Sequence, residues 1–361
     1  MDAFAFIIHP LDPKADVARK YPRLARLLPV PAIHFLSRYW PPLVLSHVTG
    51  VRSAATGREV EGWLLACPFT ARRMLQLPPP VVYRKIIQTG RLAERLGARI
   101  LGLGAYTSVV GDGGLTVARA LDIPVTTGDS YPVTLTVKAL QQAGEAMGVT
   151  LERATVAVVG ATGSIGSACA RLLAGRVERL ILVGRDPQRL AQVRQALTNR
   201  AAEPSTDLAT IRQADLIISA TSAGRPLIES DHLKPGAVVC DVARPKDIAP
   251  QVIRERDDVL VIDGGLAETP GDIRFGFDYG LPPRITFGCM AETMALALEG
   301  RFEDYTLGKH LELTRVQEIE QIAERHGFRL PALHSFDRPL TRQEIQSVRH
   351  RAALLTGASR A

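Results

Sequence analysis

The stretch TVAVVGATGSIG, residues 155–166, decides the fold of this chain. Five residues typical of a buried strand lead into Gly160, Gly163 and Gly166, and a helical pattern follows at once. Gly160 permits a tight turn, Gly163 lets a pyrophosphate approach the backbone, and Gly166 lets the helix pack close to the strand. The N–H groups at the start of the helix can then hold phosphates. A strand-to-helix turn without a ligand is the alternative. The predicted cofactor-binding residues here are Gly160, Thr162, Gly163, Ser164, Ile165 and Gly166.

The end of the next apolar strand indicates which dinucleotide binds. Residues 180–183 are followed by Gly184, Arg185 and Asp186. At this position an acidic residue takes the ribose hydroxyls of NAD, whereas an arginine favours the 2′-phosphate of NADP. Arg185 comes first, so we predict NADPH as the cofactor. Two alternatives stay open: Arg185 is a surface charge, and Asp186 caps the helix that begins at Pro187.

Strands and helices alternate from about residue 150 to residue 286, which predicts an α/β protein with a Rossmann-type doubly wound parallel sheet. One of these strands ends in Ala220 and Thr221, whose small side chains let a dinucleotide lie close, so both join the predicted cofactor site. The 361 residues suffice for more than one domain. We predict an N-terminal α/β substrate or carrier domain over 1–149, an NADP-binding domain over 150–286 and a C-terminal helical segment over 287–361.

Composition is that of an ordinary globular protein, with 46% hydrophobic and 22% charged residues. No apolar run approaches the roughly 20 residues that span a membrane. The four cysteines show no paired spacing, which indicates free thiols in a reducing compartment and no metal site. We therefore expect a cytoplasmic protein. A net charge of +7 favours an acidic partner or an anionic surface, and we expect no nucleic-acid partner.

Two basic stretches near the N-terminus are candidate contact surfaces. Residues 13–28 have a helical pattern with five basic residues, and residues 29–42 add Phe35, Tyr39 and Trp40. This segment is a candidate for peripheral membrane contact, with a solvated helix as the alternative. Residues 71–99, which include Arg84, Lys85 and Arg91, are predicted to be mainly helical and have a strong excess of basic residues. They could dock an acidic protein or a phosphate, or form an ordinary solvated face.

Two hydroxyl-rich loops are candidates for substrate contact. One follows a short apolar strand that ends at Gly104, and the other follows a strand that begins at Pro124. Such loops can line a substrate cleft, although Ser and Thr in loops also simply favour turns. The predicted substrate-binding residues are Tyr106, Thr107, Ser108, Thr126 and Thr127.

Cys289 stands just before a strong helical pattern, residues 291–299, which Gly300 closes. In the first turn of a helix, the dipole and the free N–H groups lower the pKa of a thiol. From the residues alone a buried inert cysteine is nevertheless the favoured interpretation, and a reactive thiolate is the alternative. Glu292 lies three residues on and shares this helix face. It is predicted to orient the substrate, and its alternatives are to hold a metal or to complement the helix start.

In their order along the chain, these motifs resemble the long-chain acyl-acyl-carrier-protein reductases, which form fatty aldehydes. The likeness covers about residues 102–330. The matching segments are 105–110, 126–128, 154–166, 184–185, 264–265, 289–292 and 325–328. Asp263 departs from the family, which has an asparagine there.

The resemblance implies an activity and a mechanism. It implies that the Rossmann domain binds NADPH and that Cys289 carries the acyl group. Hydride from NADPH then reduces this acyl group, which leaves as an aldehyde. It also implies an acyl carrier protein or coenzyme A thioester as substrate, an acidic carrier as partner, and possible contact with an aldehyde-processing enzyme.

Two other functions fit the residues. One is a shikimate-dehydrogenase-like NADP-dependent oxidoreductase that transfers hydride directly, for which the first domain offers no convincing lysine and aspartate pair. The other is a non-catalytic NADP-binding or lipid-binding protein.

Overall fold

The computed structural model describes residues 2–10, 12–197 and 202–357. The chain folds into two compact units, and both are discontinuous in sequence. Unit 1 consists of Met1–Tyr131 and Ala267–Arg329, and unit 2 of Pro132–Leu266 and Leu330–Ala361. These units divide the chain differently from the predicted domains, since residues 132–149 belong to unit 2 and the segment that carries Cys289 belongs to unit 1.

The N-terminal part of unit 1 mixes strands and helices. The strands are β1 (Ala3–Ile8), β2 (Leu43–Arg52), β3 (Glu59–Ala66), β4 (Ala98–Leu103) and β5 (Val125–Thr126). The helices are α1 (Pro13–Lys20), α2 (Pro22–Leu27), α3 (Val30–Ser37), α4 (Ala71–Gln76), α5 (Pro79–Arg95), α6 (Tyr106–Val109) and α7 (Leu115–Ala118). The single helix predicted over 13–28 is two helices, because Pro22 has no N–H and begins the second one.

The strands of unit 1 form one sheet in the order β2-β3-β1-β4-β5. β1 pairs in parallel with β3 and β4, β4 pairs in parallel with β5, and β2 runs antiparallel to β3 at the edge. Ala3 to Ile7 of β1 are all buried, as expected of a central parallel strand covered on both faces. Lys85 is not part of the basic surface predicted for residues 71–99, because it is buried and donates to the Trp40 carbonyl at 2.8 Å.

The next elements build unit 2, except that the first two residues of α8 belong to unit 1. They are α8 (Ser130–Met147), β6 (Thr155–Val159), α9 (Ser164–Leu173), β7 (Arg179–Val183), α10 (Pro187–Gln195), β8 (Ala202–Ser205), β9 (Leu216–Ser219), β10 (Val238–Asp241), α11 (Val252–Glu255) and β11 (Leu260–Asp263). Short 3-10 turns lie at Leu151–Arg153, Leu208–Gln213 and Ser230–His232.

The six strands β6 to β11 form a parallel sheet in the order β11-β10-β9-β6-β7-β8. Counted from β6, this is the 3-2-1-4-5-6 order of a doubly wound dinucleotide-binding sheet. The order reverses between β6 and β9, and a ligand site is expected beyond the carboxyl ends of those two strands. The predicted fold class is therefore confirmed.

The remaining elements are β12 (Leu266–Glu268), β13 (Ile285–Phe287), α12 (Gly288–Glu299), α13 (Leu313–His326), β14 (His334–Ser335), β15 (Arg338–Pro339) and α14 (Arg342–Gly357). In the part of the chain that the structure describes, no helix combines the length and apolar character needed to cross a membrane.

Helix α12 is a core helix of unit 1 and packs on β1, β3 and β4. Gly102 allows the close approach, since a Cβ on Gly102 would lie 2.1 Å from Thr293 Oγ1. The helix ends at Gly300, which has a left-handed φ of 77° as the predicted C-cap. Burial of this helix explains why residues 287–329 do not form the separate C-terminal segment that the sequence suggested.

Candidate active site

The glycine-rich turn between β6 and α9 has the close contacts that only glycine permits. Gly160 has φ 84°, and a Cβ there would lie 2.5 Å from the Ala220 carbonyl oxygen. A Cβ on Gly166 would lie 2.3 Å from the Gly160 carbonyl oxygen. Gly163 is exposed and begins α9, and within the described residues no side chain caps that helix. The turn thus leaves a helix N-terminus for an anion and fits a dinucleotide pyrophosphate.

The basic end of this site holds two arginines. Arg185 is exposed, and no hydrogen bond or ion pair of its guanidinium is found among the described residues. Asp186 caps α10, because its carboxylate accepts from the N–H groups of Gln188 and Arg189 at 3.0 and 3.1 Å. Arg189 Nη2 donates to the Thr162 carbonyl at 3.0 Å, which brings a second guanidinium to the glycine turn. Sequence reasoning missed Arg189, although its position four residues after Arg185 was a usable signal.

Two buried aspartates fix the turn that follows β9. Asp247 accepts from Ser219 Oγ at 2.8 Å and from the N–H and Oγ1 of Thr221 at 2.9 and 2.5 Å. Asp241 accepts from the N–H groups of Asp247 and Ile248 at 2.8 and 3.0 Å. Burial raises the pKa of Asp247 and raises that of Asp241 to about 7. Sequence reasoning missed both, and the acidic end of the apolar run VVCD was the available signal.

Asp263, the departure from the family pattern, lies in a buried ionic cluster of unit 2. Its carboxylate pairs with Lys246 and accepts from the Asp337 N–H at 2.7 Å, and Arg244 lies 4.0 Å away. Burial and the Arg244 charge lower the pKa of Lys246. This lysine and aspartate pair is in unit 2, whereas the direct-hydride alternative called for one in the first domain.

Cys289 differs from the other three cysteines in its exposure. Cys67, Cys169 and Cys240 are buried, whereas Cys289 is partly exposed and is the second residue of α12. It lies against Gly128, where a Cβ would come within 2.5 Å of the Cys289 Cβ. The helix start of unit 1 therefore holds one accessible thiol beside the loop that follows β5.

The Cys289 thiol does not have the lowered pKa that its helix position suggested. Burial, and after it the charges of Asp129 and Glu292, raise the pKa of Cys289 to about 12. The N–H groups of Met290 and Cys289 lower it, but by less. Two nearby carboxylates and a low-dielectric surrounding thus outweigh the helix dipole, and the thiol is protonated at neutral pH.

Glu292 is fully buried and accepts four hydrogen bonds. Thr126 Oγ1 and Thr306 Oγ1 donate to one carboxylate oxygen at 2.6 and 2.8 Å. The N–H groups of Ser130 and Tyr131 donate to the other at 3.0 and 2.9 Å. Burial raises the pKa of Glu292 to about 7. All four donors belong to unit 1, so Glu292 ties the loop after β5 to helix α12.

The loop after β4 is strained. Ala105 has φ 45° and ψ −118°, an unfavourable conformation for a residue with a Cβ. Tyr106, Thr107 and Ser108 follow and are buried. Thr107 Oγ1 donates to the Gly104 carbonyl and Ser108 Oγ donates to the Ala105 carbonyl, which closes the turn locally.

His9 holds this loop from the end of β1. Its Nε2 accepts from the Tyr106 N–H at 3.1 Å, and the two rings meet edge to face. Burial lowers the pKa of His9 to about 4, so the ring is neutral. Sequence reasoning assigned no role to His9.

Thr127 has a buried hydroxyl that is not satisfied. The residue is 1% exposed, and its Oγ1 has no hydrogen-bond partner within the described ranges. Thr127 immediately precedes Gly128, the residue against which Cys289 lies. An unsatisfied buried hydroxyl is costly, and it is a donor that a bound group could use.

Unit 1 has a cavity of about 320 Å³ that is separate from the residues described above. Its lining includes Arg52, Ser53, Glu268, Arg284 and Arg329 and none of the predicted site residues.

Comparison with protein families supports the oxidoreductase fold of unit 2. Residues 141–263 match the model of the shikimate / quinate 5-dehydrogenase family. The match covers about a third of the chain and coincides with the doubly wound sheet. The chain thus contains an NAD(P)-dependent oxidoreductase-type domain.

Two curated relatives match most of the chain. Aminotransferase PigE of Serratia sp. (strain ATCC 39006) is 35% identical over 81% of this chain, but the chain spans only 35% of the length of PigE. Long-chain acyl-[acyl-carrier-protein] reductase of Synechococcus elongatus is 28% identical over 81% of this chain and 89% of the reductase.

Solved structures with similar folds are distant. L-tryptophan dehydrogenase from Nostoc punctiforme has a TM-score of 0.42 at 13% identity and covers 98% of this chain and 89% of its own. Quinate dehydrogenase from Corynebacterium glutamicum, in complex with NAD, has a TM-score of 0.38 at 16% identity, and the match covers 89% of this chain and 98% of the dehydrogenase chain. At these values neither structure carries an argument about activity.

Proposed function

We propose that this chain reduces long-chain fatty acyl thioesters of acyl carrier protein or coenzyme A to fatty aldehydes with NADPH, with Cys289 as the acyl carrier. The observation that carries the proposal is the single accessible thiol, Cys289, at the start of α12. The match to a reductase of this activity over 89% of that protein supports it.

The cofactor is assigned to the turn of unit 2. Gly160, Gly163 and Gly166 hold the pyrophosphate, Ala220 and Thr221 leave room beside it, and Arg185 with Arg189 holds the 2′-phosphate. Thr162, Ser164 and Ile165 complete the helix start. A bound NADPH supplies the hydride that reduces the acyl carbonyl carbon.

The chemistry of the chain begins with the thiol. Cys289 gives its proton to a base, its sulfur bonds to the thioester carbonyl carbon, and the C–S bond to the carrier breaks as the carrier sulfur takes that proton and leaves as a thiol. Hydride then adds to the acyl carbon, the C–S bond to Cys289 breaks as the oxyanion collapses to the aldehyde, and the Cys289 sulfur takes a proton from water to regenerate the thiol. Because the resting thiol has a high pKa, its proton needs an acceptor, and we assign Asp129, whose charge acts on Cys289.

The substrate residues divide into two roles. We assign Thr127 Oγ1 to donate to the acyl oxygen, since that hydroxyl has no partner among the residues described. Glu292 and Thr126 are buried together and position the loop after β5, as do Tyr106, Thr107 and Ser108 for the loop after β4. This assignment changes the predicted role from substrate contact to positioning for five residues, namely Tyr106, Thr107, Ser108, Thr126 and Glu292.

Trapping of the acyl group tests the proposal. Parent protein incubated with a long-chain acyl thioester without NADPH should gain the mass of one acyl group, located on Cys289 by peptide mass spectrometry. Cys289→Ser should gain none and should form aldehyde several orders of magnitude more slowly, because a serine hydroxyl is a poorer nucleophile. Cys67→Ala, a change at a buried thiol, is the matched control and should keep the adduct.

A second candidate function rests on the family match over residues 141–263, which names a dehydrogenase that is not an acyl reductase. Direct hydride transfer to a small carbonyl needs no thiol. If Cys289→Ser reduces thioesters at nearly the parent rate, the covalent route is wrong and direct transfer replaces it. A protein that binds NADPH but consumes none with any thioester would instead be a non-catalytic NADP-binding or lipid-binding protein.

A further inference from the structure

The short helices after β1 leave large apolar side chains in water. Leu27, Tyr39 and Phe35 are 79%, 67% and 63% exposed, which makes them the most exposed large hydrophobic residues that the structure describes. Val30 beside them is exposed as well. Isolated exposed hydrophobic residues are ordinary, but a group of them in the short segment from Leu27 to Tyr39 suggests a contact surface.

Exposed side chains continue from α3 into the turn that follows it. Ile33 and Ser37 are buried, and they fix the inner side of the helix. Phe35 of α3 is exposed, as are Arg38 and Tyr39 in the turn directly after the helix. The rings of Phe35 and Tyr39 lie 5.5 Å apart, so they form one aromatic surface.

Helix α4 extends this surface. Thr70, its N-cap, lies 3.4 Å from the ring of His34 in α3. Burial and then the charges of Arg72 and Arg73 lower the pKa of His34, so both guanidinium groups are near α3. Leu75 of α4 is exposed. We name Leu27, Val30, Phe35, Tyr39 and Leu75, together with Arg38, Arg72 and Arg73, the aromatic–basic patch.

The charges around the patch are predominantly positive. Residues 13–40 and 71–76 contain eight lysines and arginines and one acidic residue, Asp16. Arg19 lies 3.6 Å from Asp16, which leaves the rest of the basic charge uncompensated by acids in these helices. Exposed aromatic and leucine side chains beside basic groups have the composition of helices that lie in a membrane interface.

We propose that the aromatic–basic patch docks on an anionic lipid surface. Phe35, Tyr39 and Leu27 enter the boundary between headgroups and acyl chains, and Arg38, Arg72 and Arg73 pair with lipid phosphates. The excess of positive charge favours this occupant over a second copy of the chain, because two such patches would repel each other. The inference needs no assumption about the reaction, since it rests only on exposure and charge.

Vesicle binding tests it without substrate or NADPH. The full chain is sedimented with vesicles of phosphatidylcholine alone and of phosphatidylcholine mixed with phosphatidylglycerol. Binding should appear with the mixed vesicles and weaken as salt is added. Phe35→Ser combined with Tyr39→Ser should weaken binding by at least about tenfold. Both side chains are exposed, so the variant should keep the parent melting temperature.

The matched control is Leu354→Ser combined with Leu355→Ser. These two leucines are exposed on α14 and lie outside the patch. The control should bind the mixed vesicles as the parent does. Failure of the parent to bind them, equal binding by the Phe35→Ser/Tyr39→Ser variant, or equal weakening of the control would each overturn the proposal. A parent protein that binds neither kind of vesicle would point to an acidic protein as the partner of the patch.

Discussion

Arg185 is the residue that we propose to distinguish NADPH from NADH, by binding the 2′-phosphate. Arg185→Ala should weaken NADPH far more than NADH, because a charge-assisted contact to the 2′-phosphate contributes about 1.5–3 kcal/mol, or roughly 10- to 150-fold in affinity. Arg212, exposed on the turn before β9, is the control, and Arg212→Ala should change neither affinity. Fluorescence titration of each dinucleotide measures both effects. A parallel loss for the two cofactors would remove Arg185 from the 2′-phosphate site.

Asp129 gives a test of why the Cys289 pKa is high. Asp129→Asn removes a negative charge, so the pKa of Cys289 should fall and the thiol should react with iodoacetamide about three- to tenfold faster at pH 8. If Asp129 also accepts the thiol proton, acyl transfer from thioesters should slow in the same variant. Asp122→Asn, an exposed change near that loop, should alter neither rate. Alkylation and acylation that rise together would exclude Asp129 as the proton acceptor.

The Cys289 pKa shows where residue-scale prediction from sequence fails. The helix-start position was read correctly, because the glycine cap, the apolar spacing and the strand before it are all local signals. The sign of the pKa shift depends on burial and on Asp129, which is remote from Cys289 in the sequence. By contrast, the sequence indicated helix capping as an alternative role for Asp186, and in the structure Asp186 does cap α10.

At the scale of elements, Glu292 joins α12 to the loop after β5 through four hydrogen bonds. The raised pKa of Glu292 makes the free energy of unfolding depend on pH. The folded pKa of about 7 lies above the ordinary value near 4.5. Glu292 therefore contributes stability that is complete below about pH 4.5 and is lost as pH rises through 7. Between pH 5 and 8, the parent should lose about 2–3 kcal/mol of unfolding free energy relative to Glu292→Gln.

Urea unfolding at the two pH values measures this difference. Glu152→Gln, an exposed change in unit 2, should show none. At pH 8 the Gln variant should still be the less stable protein, because its amide cannot accept from the Ser130 and Tyr131 N–H groups as the carboxylate does. A parent-minus-variant difference that grows with pH would show that the four donors lower the Glu292 pKa more than burial raises it.

The elements themselves were largely predictable, and their assignment to units was not. β6, α9, β7 and α12 follow from apolar runs, glycines and caps that act over a few residues. Which sheet α12 covers depends on Gly102, where the missing side chain admits Thr293. Nothing in residues 287–299 alone indicates that partner. For the same reason, the burial of Lys85 could not be predicted: its helix is clear from the sequence, but its contact with the distant Trp40 carbonyl is not.

At the scale of the whole molecule, the net charge of +7 would attract the acidic carrier protein that we propose as the acyl donor. Arg84, Arg91 and Arg95 are exposed at helical spacing on α5. Reversing all three to Glu should slow turnover of acyl carrier protein substrates by at least about tenfold at low salt, because steered encounter is lost. Turnover of acyl coenzyme A should change less.

Arg153, Arg212 and Arg342 are exposed in unit 2 and provide a charge-matched control. Reversing these three should leave carrier turnover near the parent rate. Initial rates over a salt series separate the two variants, since the difference should shrink as ionic strength rises. A common loss in both variants would assign the effect to overall charge rather than to α5.

The interleaved order of the two units has a consequence for biosynthesis. Helix α12 packs on β1 and β4, yet the entire parallel sheet of unit 2 lies between it and those strands in the sequence. On a ribosome the strands β1 to β4 of unit 1 emerge first and lack this cover until α12 has been made. An apolar face of their sheet is therefore uncovered while the sheet of unit 2 is synthesised, which lengthens the search for native contacts and favours chaperone protection.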